Sequence, residues 1–197
     1  MSFIYNICIL ITFRYMYWTE WGTTAGIYRS NMAGNDIVLL IQNFTYISRP
    51  NSLVIDFFEE KIYWAERHYN HILRANTDGS GLEIVVSSRL PHPNCLTQYK
   101  DFIYWGDMEE ETINRASKET GGNRTRIEGH LGFIMDMKIF HNSRQTGWNS
   151  CGDENGNCSH LCLALPDDQY TCGCPNHYTL DTTNKSCICK LIKIFSL

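Results

Sequence analysis

The chain of 197 residues has room for one or two domains, and 17 basic against 21 acidic residues leave a net charge of -4. That balance argues against a nucleic-acid partner, which calls for a basic patch to neutralise phosphates. Aromatics make up 13% of the residues and no apolar stripe of 3.6-residue period is sustained, so the expected class is all-β.

The N-terminal stretch MSFIYNICILITFR is apolar like a signal peptide or anchor, yet it lacks a basic leader and a small-residue cleavage site. It runs straight into strand-like YMYW, and residues 1–13 read as a strand or a non-native extension. No run reaches the roughly 18 apolar residues of a membrane-spanning helix.

From residue 14 the chain repeats itself. YWTE at 17–20 returns as YWAE at 63–66 and as YWGD at 104–107. After each comes a strand ending on an arginine (Arg29, Arg74, Arg115), then a turn cluster, NMAGND, NTDGSG or KETGGN. A short apolar strand follows, IVLLI, LEIVV or the weaker RTRIEG, and then the approach to the next unit, RPNSLVID or PHPNCLT. In the third copy GFIMDMKIF fills that last place without a proline. Four short strands in a unit of about 40–45 residues are the pattern of a propeller blade, with Asp-Gly and Gly-Gly as hairpin signals. If YW lies on the second strand, the loops after it share one edge with the loops entering the first strand. That edge collects Trp21-Gly22, Arg67–Asn70 and Met108–Thr112 with Pro50-Asn51 and His92–Asn94.

Six of the nine cysteines crowd into residues 151–187, a density that reads as a disulfide framework made in an oxidising compartment. Asn-x-Ser/Thr acceptors at Asn43, Asn123 and Asn184 agree with a secreted location, and Asn157 is a poor acceptor because Cys158 intervenes. Cys8, Cys95 and Cys189 are left over.

These residues resemble the YWTD-type propeller of the low-density lipoprotein receptor family, in which six blades are followed by an epidermal-growth-factor-like module. The spacing C-x6-C-x3-C-x9-C-x-C-x12-C agrees with that module. Six cysteines allow 15 pairings; the resemblance implies Cys151–Cys162, Cys158–Cys172 and Cys174–Cys187. The wording RQTGWNSCGDENGNCSHLCLALP is most similar to the Wnt co-receptor branch, with residues 14–187 standing for the last three blades and the module. Six blades need about 250 residues, so a fragment of a longer receptor, or an incomplete gene model, is expected. The expected organisation is an apolar segment at 1–13, a partial, three-bladed propeller at 14–141, a linker at 142–150, a small disulfide-rich module at 151–187 and a tail at 188–197.

For the ligand-binding edge the resemblance implies Asn51, whose family counterpart pairs its amide with an Asn-x-Ile motif of inhibitor proteins. An amide can donate and accept at once. Here Arg49 replaces the family's preceding tryptophan and Ser52 its glycine; a turn asparagine is the competing reading. Trp21 is either an interface anchor or filler between loops, and Met108 stands at its place in the third copy. Glu109, Glu110 and Glu111 either steer basic ligands or form a solvated loop. The repeat-final acids Glu20, Glu66 and Asp107 suit a hydrogen-bonding role inside each blade.

No metal or other cofactor is expected. His68 and His71 lack completing ligands, and the lead-in QTGWNSC lacks the acids of calcium-binding modules. The expected function is non-enzymatic: a piece of a single-pass receptor on the extracellular side, or secreted, binding secreted protein ligands or inhibitors. It would touch a membrane only through the parent's transmembrane segment. The alternatives are a nidogen-like matrix scaffold and a propeller hydrolase; the latter needs carboxylates converging on a channel metal.

Overall fold

A computed structural model describes residues 3–10, 14–42, 45–141 and 148–190. Twelve strands form three antiparallel four-stranded sheets, each wound in sequence order. The first blade holds β1 (Phe3–Leu10), β2 (Tyr15–Trp21), β3 (Gly26–Asn31) and β4 (Val38–Ile41). The second holds β5 (Pro50–Asp56), β6 (Lys61–Glu66), β7 (His71–Asn76) and β8 (Glu83–Val86). The third holds β9 (Pro93–Tyr99), β10 (Phe102–Asp107), β11 (Thr112–Ser117) and β12 (Thr125–Gly129). YW lies on the second strand of every sheet. Residues 3–10, expected as a separate apolar segment, supply the first strand of the first blade, and with the described residues from 14 to 141 they form an open arc of blades.

The two aromatics of each repeat point to opposite neighbours. Trp64 belongs to a core with Tyr17, Ile27, Ile41 and Ile47 of the preceding blade and its approach. Tyr63 belongs to a second core with Leu96, Ile103 and Trp105 of the following blade. Strand residues alternate faces, so two consecutive aromatics stitch one sheet to both its neighbours. Glycines let the blades close up at the β3–β4 type of turn. A Cβ on Gly79 (φ 90°) would meet the Leu40 carbonyl oxygen at 2.7 Å, and one on Gly121 (φ 66°) would meet that of Val85 at 2.0 Å.

The first strands line up side by side, β1 against β5 and β5 against β9. Each hands a polar side chain to the next: Asn6 Oδ1 accepts from Leu53 N–H at 3.4 Å, and Ser52 Oγ accepts from Leu96 N–H at 2.9 Å. The stretch 131–141 continues the series beside β9, where Asn94 Nδ2 donates to the Ile134 carbonyl at 2.9 Å and Tyr99 meets His141 at 5.3 Å between rings. It thus takes the place expected for GFIMDMKIF. It forms no strand, because no described strand offers it a ladder.

The module has two hairpins, β13 (Leu161–Ala164) with β14 (Tyr170–Gly173) and β15 (Tyr178–Leu180) with β16 (Cys187–Cys189), after a short 3-10 turn at Glu154–Asn157. Its disulfides are Cys151–Cys162, Cys158–Cys172 and Cys174–Cys187. It is longer than its cysteine framework. Ser150 Oγ donates to the Gln169 carbonyl at 2.8 Å and Lys190 N–H to that of His177 at 2.8 Å. Residues at the end of the expected linker and the start of the expected tail are therefore part of its hydrogen-bonded structure. Among the described residues Cys95 is a buried free thiol and Cys189 an exposed one; burial pushes the Cys95 thiol up, which keeps it protonated. The Cys8 side chain and Asn43 lie outside what is described. No described helix is long and apolar enough to cross a membrane.

Candidate functional site: the upper edge of the arc

Pro50 pairs with Glu66 and Pro93 with Asp107, so each first strand begins where the second strand ends. This upper edge gathers the loops after YW and the approaches to the first strands. Repeat-final acids fasten the two kinds of loop together. Glu66 Oε1 accepts from the N–H groups of Arg49 at 2.8 Å and His68 at 3.0 Å, and Oε2 accepts from Ser48 N–H at 3.1 Å. Asp107 repeats the arrangement with His92 N–H at 3.0 Å, Glu109 N–H at 3.0 Å and Glu110 N–H at 3.1 Å. Glu20 differs: its Oε1 accepts from the Trp18 indole N–H at 3.0 Å.

A row of side chains crosses the blades along this edge. The Trp21 indole N–H donates to the Pro50 carbonyl at 2.6 Å, and the Arg67 guanidinium lies 5.7 Å from the Trp21 ring centre. Arg67 Nε in turn donates to His92 Nε2 at 3.0 Å, so that imidazole nitrogen is an acceptor. Asn51 sits half-buried just inside the row. Its carbonyl accepts from Thr19 Oγ1 at 2.9 Å, while its Nδ2 donates to the carbonyl and to Oδ1 of Asn94, both at 2.8 Å. Among the described residues nothing donates to Asn51 Oδ1, so the acceptor half of the amide is the half left open. Glu109, Glu110 and Glu111 are exposed on the third blade's loop.

Residues 14–57 match the low-density lipoprotein receptor repeat class B family, and residues 151–187 match the family described as coagulation factor Xa inhibitory site. Low-density lipoprotein receptor-related protein 5 of Homo sapiens is 44% identical over 85% of this chain. The chain belongs to the low-density lipoprotein receptor-related family. Its similarity to protein 5 supports the Wnt co-receptor branch. Protein 4 of Homo sapiens is 46% identical over 55% of the chain. The chain spans 10% of the length of the first relative and 6% of the second. Among solved structures, a chain of a nidogen/laminin complex superposes with a TM-score of 0.57 at 20% identity, covering 62% of this chain and 47% of that one. Virginiamycin B lyase from Staphylococcus aureus gives 0.52 at 15% identity, covering 67% and 46%. At such identities these two likenesses speak for the fold alone.

For a receptor-related chain the structural side of this edge is as telling as the exposed side. The sequence places Arg67, His92 and Asn94 in the loops of this edge but does not pick them out as site residues. Asn94 was within reach, because HPNCL places it at the repeat position of Asn51 in RPNSL. The repeat puts Arg67 and His92 on the edge, but nothing in it says that they touch, since their contact joins loops of different blades.

Burial pushes the Glu66 carboxyl up from its ordinary value of 4.5, against the pull of the Arg49, His68 and Ser48 N–H groups. A folded value above the unfolded one gives stability that is full below pH 4.5 and is lost as pH rises through the raised value. Glu66→Gln is neutral throughout and keeps one acceptor oxygen for three donors, a loss of about 1–2 kcal/mol. Urea midpoints at several pH values should show wild type most favoured over the variant in acid, with a margin that narrows as pH rises. A margin that widens instead would mean that the N–H groups outweigh burial.

Proposed function

We propose that this chain is a ligand-binding piece of an extracellular receptor ectodomain, and that secreted protein ligands or their inhibitors bind along the upper edge. The observation that carries the reading is the row Trp21–Arg67–His92, which crosses three blades with the open Asn51 oxygen inside it and the glutamate loop at one end. A half-exposed tryptophan held at its indole N–H and beside a guanidinium is an ordered aromatic anchor, the kind of residue that dominates interfaces. With its amide donors turned to Asn94, Asn51 would serve a ligand as an acceptor, receiving an N–H from an extended peptide. Glu109, Glu110 and Glu111 would favour basic ligands and speed their encounter.

An enzymatic reading finds little support in this edge. Glu66 and Asp107 spend their carboxylates on backbone N–H groups, which leaves them poorly suited as metal ligands or general bases. The likeness to nidogen concerns the fold and does not extend to matrix assembly. Asn123 and Asn184 are exposed and suit glycan attachment.

The test is binding of an Asn-x-Ile peptide, by calorimetry, to the chain and to a six-bladed ring containing it. Trp21→Ala should weaken binding by about tenfold or more, as expected of an interface anchor. Asn51→Ala should weaken it less, since one acceptor is lost. Unchanged affinity for both variants would remove the upper edge as the site.

A further inference from the structure

The loop joining β15 to β16 carries the acceptor triplet Asn184-Lys185-Ser186, and the next residue is Cys187, the last cysteine of the module's framework. Asn184 is exposed, so the folded module has room for a glycan there. The backbone of the triplet, however, is committed throughout. Asn184 is left-handed, with φ of 57°, and its N–H donates to the Asp181 carbonyl at 3.1 Å. Lys185 N–H donates to Thr183 Oγ1 at 3.3 Å, and the Lys185 carbonyl accepts from Ser159 N–H at 2.9 Å. Asp181 holds Ser186 twice: Ser186 N–H donates to Asp181 Oδ1 at 3.3 Å, and the Ser186 carbonyl accepts from Asp181 N–H at 2.8 Å. Cys187 N–H then donates to Ser159 Oγ at 2.9 Å, and the Cys174–Cys187 disulfide closes the loop into a covalent ring.

We infer that Asn184 is a timed acceptor: it takes a glycan only before Cys174–Cys187 closes, so that sugar transfer and thiol oxidation compete for one loop. The transfer joins Asn184 Nδ2 to the anomeric carbon of a lipid-linked oligosaccharide diphosphate. The bond from that carbon to the diphosphate oxygen breaks, the diphosphate leaves with the electron pair, and an amide proton passes to a base of the transferase. The enzyme must hold the amide and the Ser186 hydroxyl together in its own cleft, which means lifting residues 184–186 out of the loop. Before closure the loop can open locally; after closure, opening breaks every bond named above within a covalent ring. Closure oxidises the two thiols, with two electrons and two protons passing to a protein disulfide of the compartment, and takes seconds to hours. Transfer therefore wins in some chains and loses in others. Asn123 supplies the contrast, exposed and left-handed with φ of 53°, while all three disulfides lie in the module. Its occupancy has no reason to follow oxidation. The inference rests on the extracellular reading above, and Asn123 reports on that reading separately.

The experiment is expression of the full chain into the secretory pathway of cultured cells behind a cleavable leader, with total protein taken before any selection for folding. Peptide mass spectrometry after enzymatic glycan release in 18O-water reads the modified fraction at Asn184 and at Asn123 separately. In the wild type Asn123 should be modified in most chains and Asn184 in a minority. Dithiothreitol during synthesis, or the double change Cys174→Ser with Cys187→Ser, should raise the Asn184 fraction severalfold and leave Asn123 where it was. Asp181→Ala loosens the loop but keeps both cysteines, and should raise the Asn184 fraction by less. An Asn184 fraction that the cysteine variant does not move, whether high or low, overturns the timing and leaves the extracellular reading intact. So does a rise at both sites alike. Absence of sugar at both sites in every variant counts against the extracellular reading itself, and the timing falls with it.

Discussion

Trp64→Ala is expected to cost about 3–5 kcal/mol, the range for removing a fully buried tryptophan, and to lower the melting temperature by about 10 °C for a chain of this size. Trp64 is 0% exposed, and it fills the seam between the first and second blades against Tyr17, Ile27, Ile41 and Ile47. Its indole N–H has no hydrogen-bond partner, so the loss is one of packing. Trp105 occupies the same place one blade on, also at 0% exposure, and Trp105→Ala should cost a similar amount. Trp18 tests the argument from the other side. It is 9% exposed, stacks on Tyr28 at 5.7 Å within its own sheet and donates its indole N–H to Glu20. With no described blade on that side, Trp18→Ala should be the mildest of the three. Urea midpoints and slopes give the ranking directly. Equal losses at all three positions would show that YW stabilises each sheet singly and does not join blades.

That ranking rests on a feature readable in the sequence. YW recurs with its turns at the spacing of a blade, and strand alternation then fixes which edge holds the loops; the structure places both accordingly. The cysteine spacing likewise marked the module, and of the repeat-final acids Glu66 and Asp107 bind the loops of their blades while Glu20 binds the Trp18 indole instead. What could not be read is whatever depends on one blade meeting another. Asn51 looked like a free amide in a turn, yet its donors are turned to Asn94, a residue 43 positions later in sequence. Trp21 read as either an anchor or filler between loops, and the sequence could not show that its indole N–H is held by the Pro50 carbonyl of the next blade. Arg14 stood only as the first residue of the expected propeller, and its contacts with Leu165 and Asp168, some 150 positions later, left no trace in the repeat. Repeats reveal what the copies share. The residues that make one copy different from the next, Arg14 in the first and Lys118 in the third, stand where no periodic argument applies.

Lys118 carries the second large effect. Its side chain is 7% exposed, and its Nζ lies 2.5 Å from Asp56 Oδ2 and 2.8 Å from Glu59 Oε1, tying the third blade's β11–β12 turn to the second blade's β5–β6 turn. Asp56 is 0% exposed, and its Oδ1 accepts from Phe58 N–H at 3.0 Å and Glu59 N–H at 3.3 Å. The same positions in the first and second blades are Met32 and Thr77, so a lysine is no requirement of the blade itself. Lys118→Met keeps most of the apolar stem but leaves a buried carboxylate with no counter-charge. Breaking a buried pair in this way costs about 3–5 kcal/mol. Asp56→Asn in the same chain removes the stranded charge while keeping an oxygen for the two N–H donors. The double variant should therefore recover most of the loss, because a buried pair replaced as a whole is close to neutral. Arg74 sits beside the pair, with Nη1 donating to the Lys118 carbonyl at 3.1 Å and bonds to Glu83 and Glu119 at 2.8 and 2.9 Å. Those contacts use the Lys118 backbone and other side chains, so they survive both substitutions and should not blur the comparison. A double-mutant cycle in urea measures the coupling. If Lys118→Met alone costs under about 1 kcal/mol, the value of a solvent-exposed pair, then the lower seam is hydrated and the blades are joined there by packing alone.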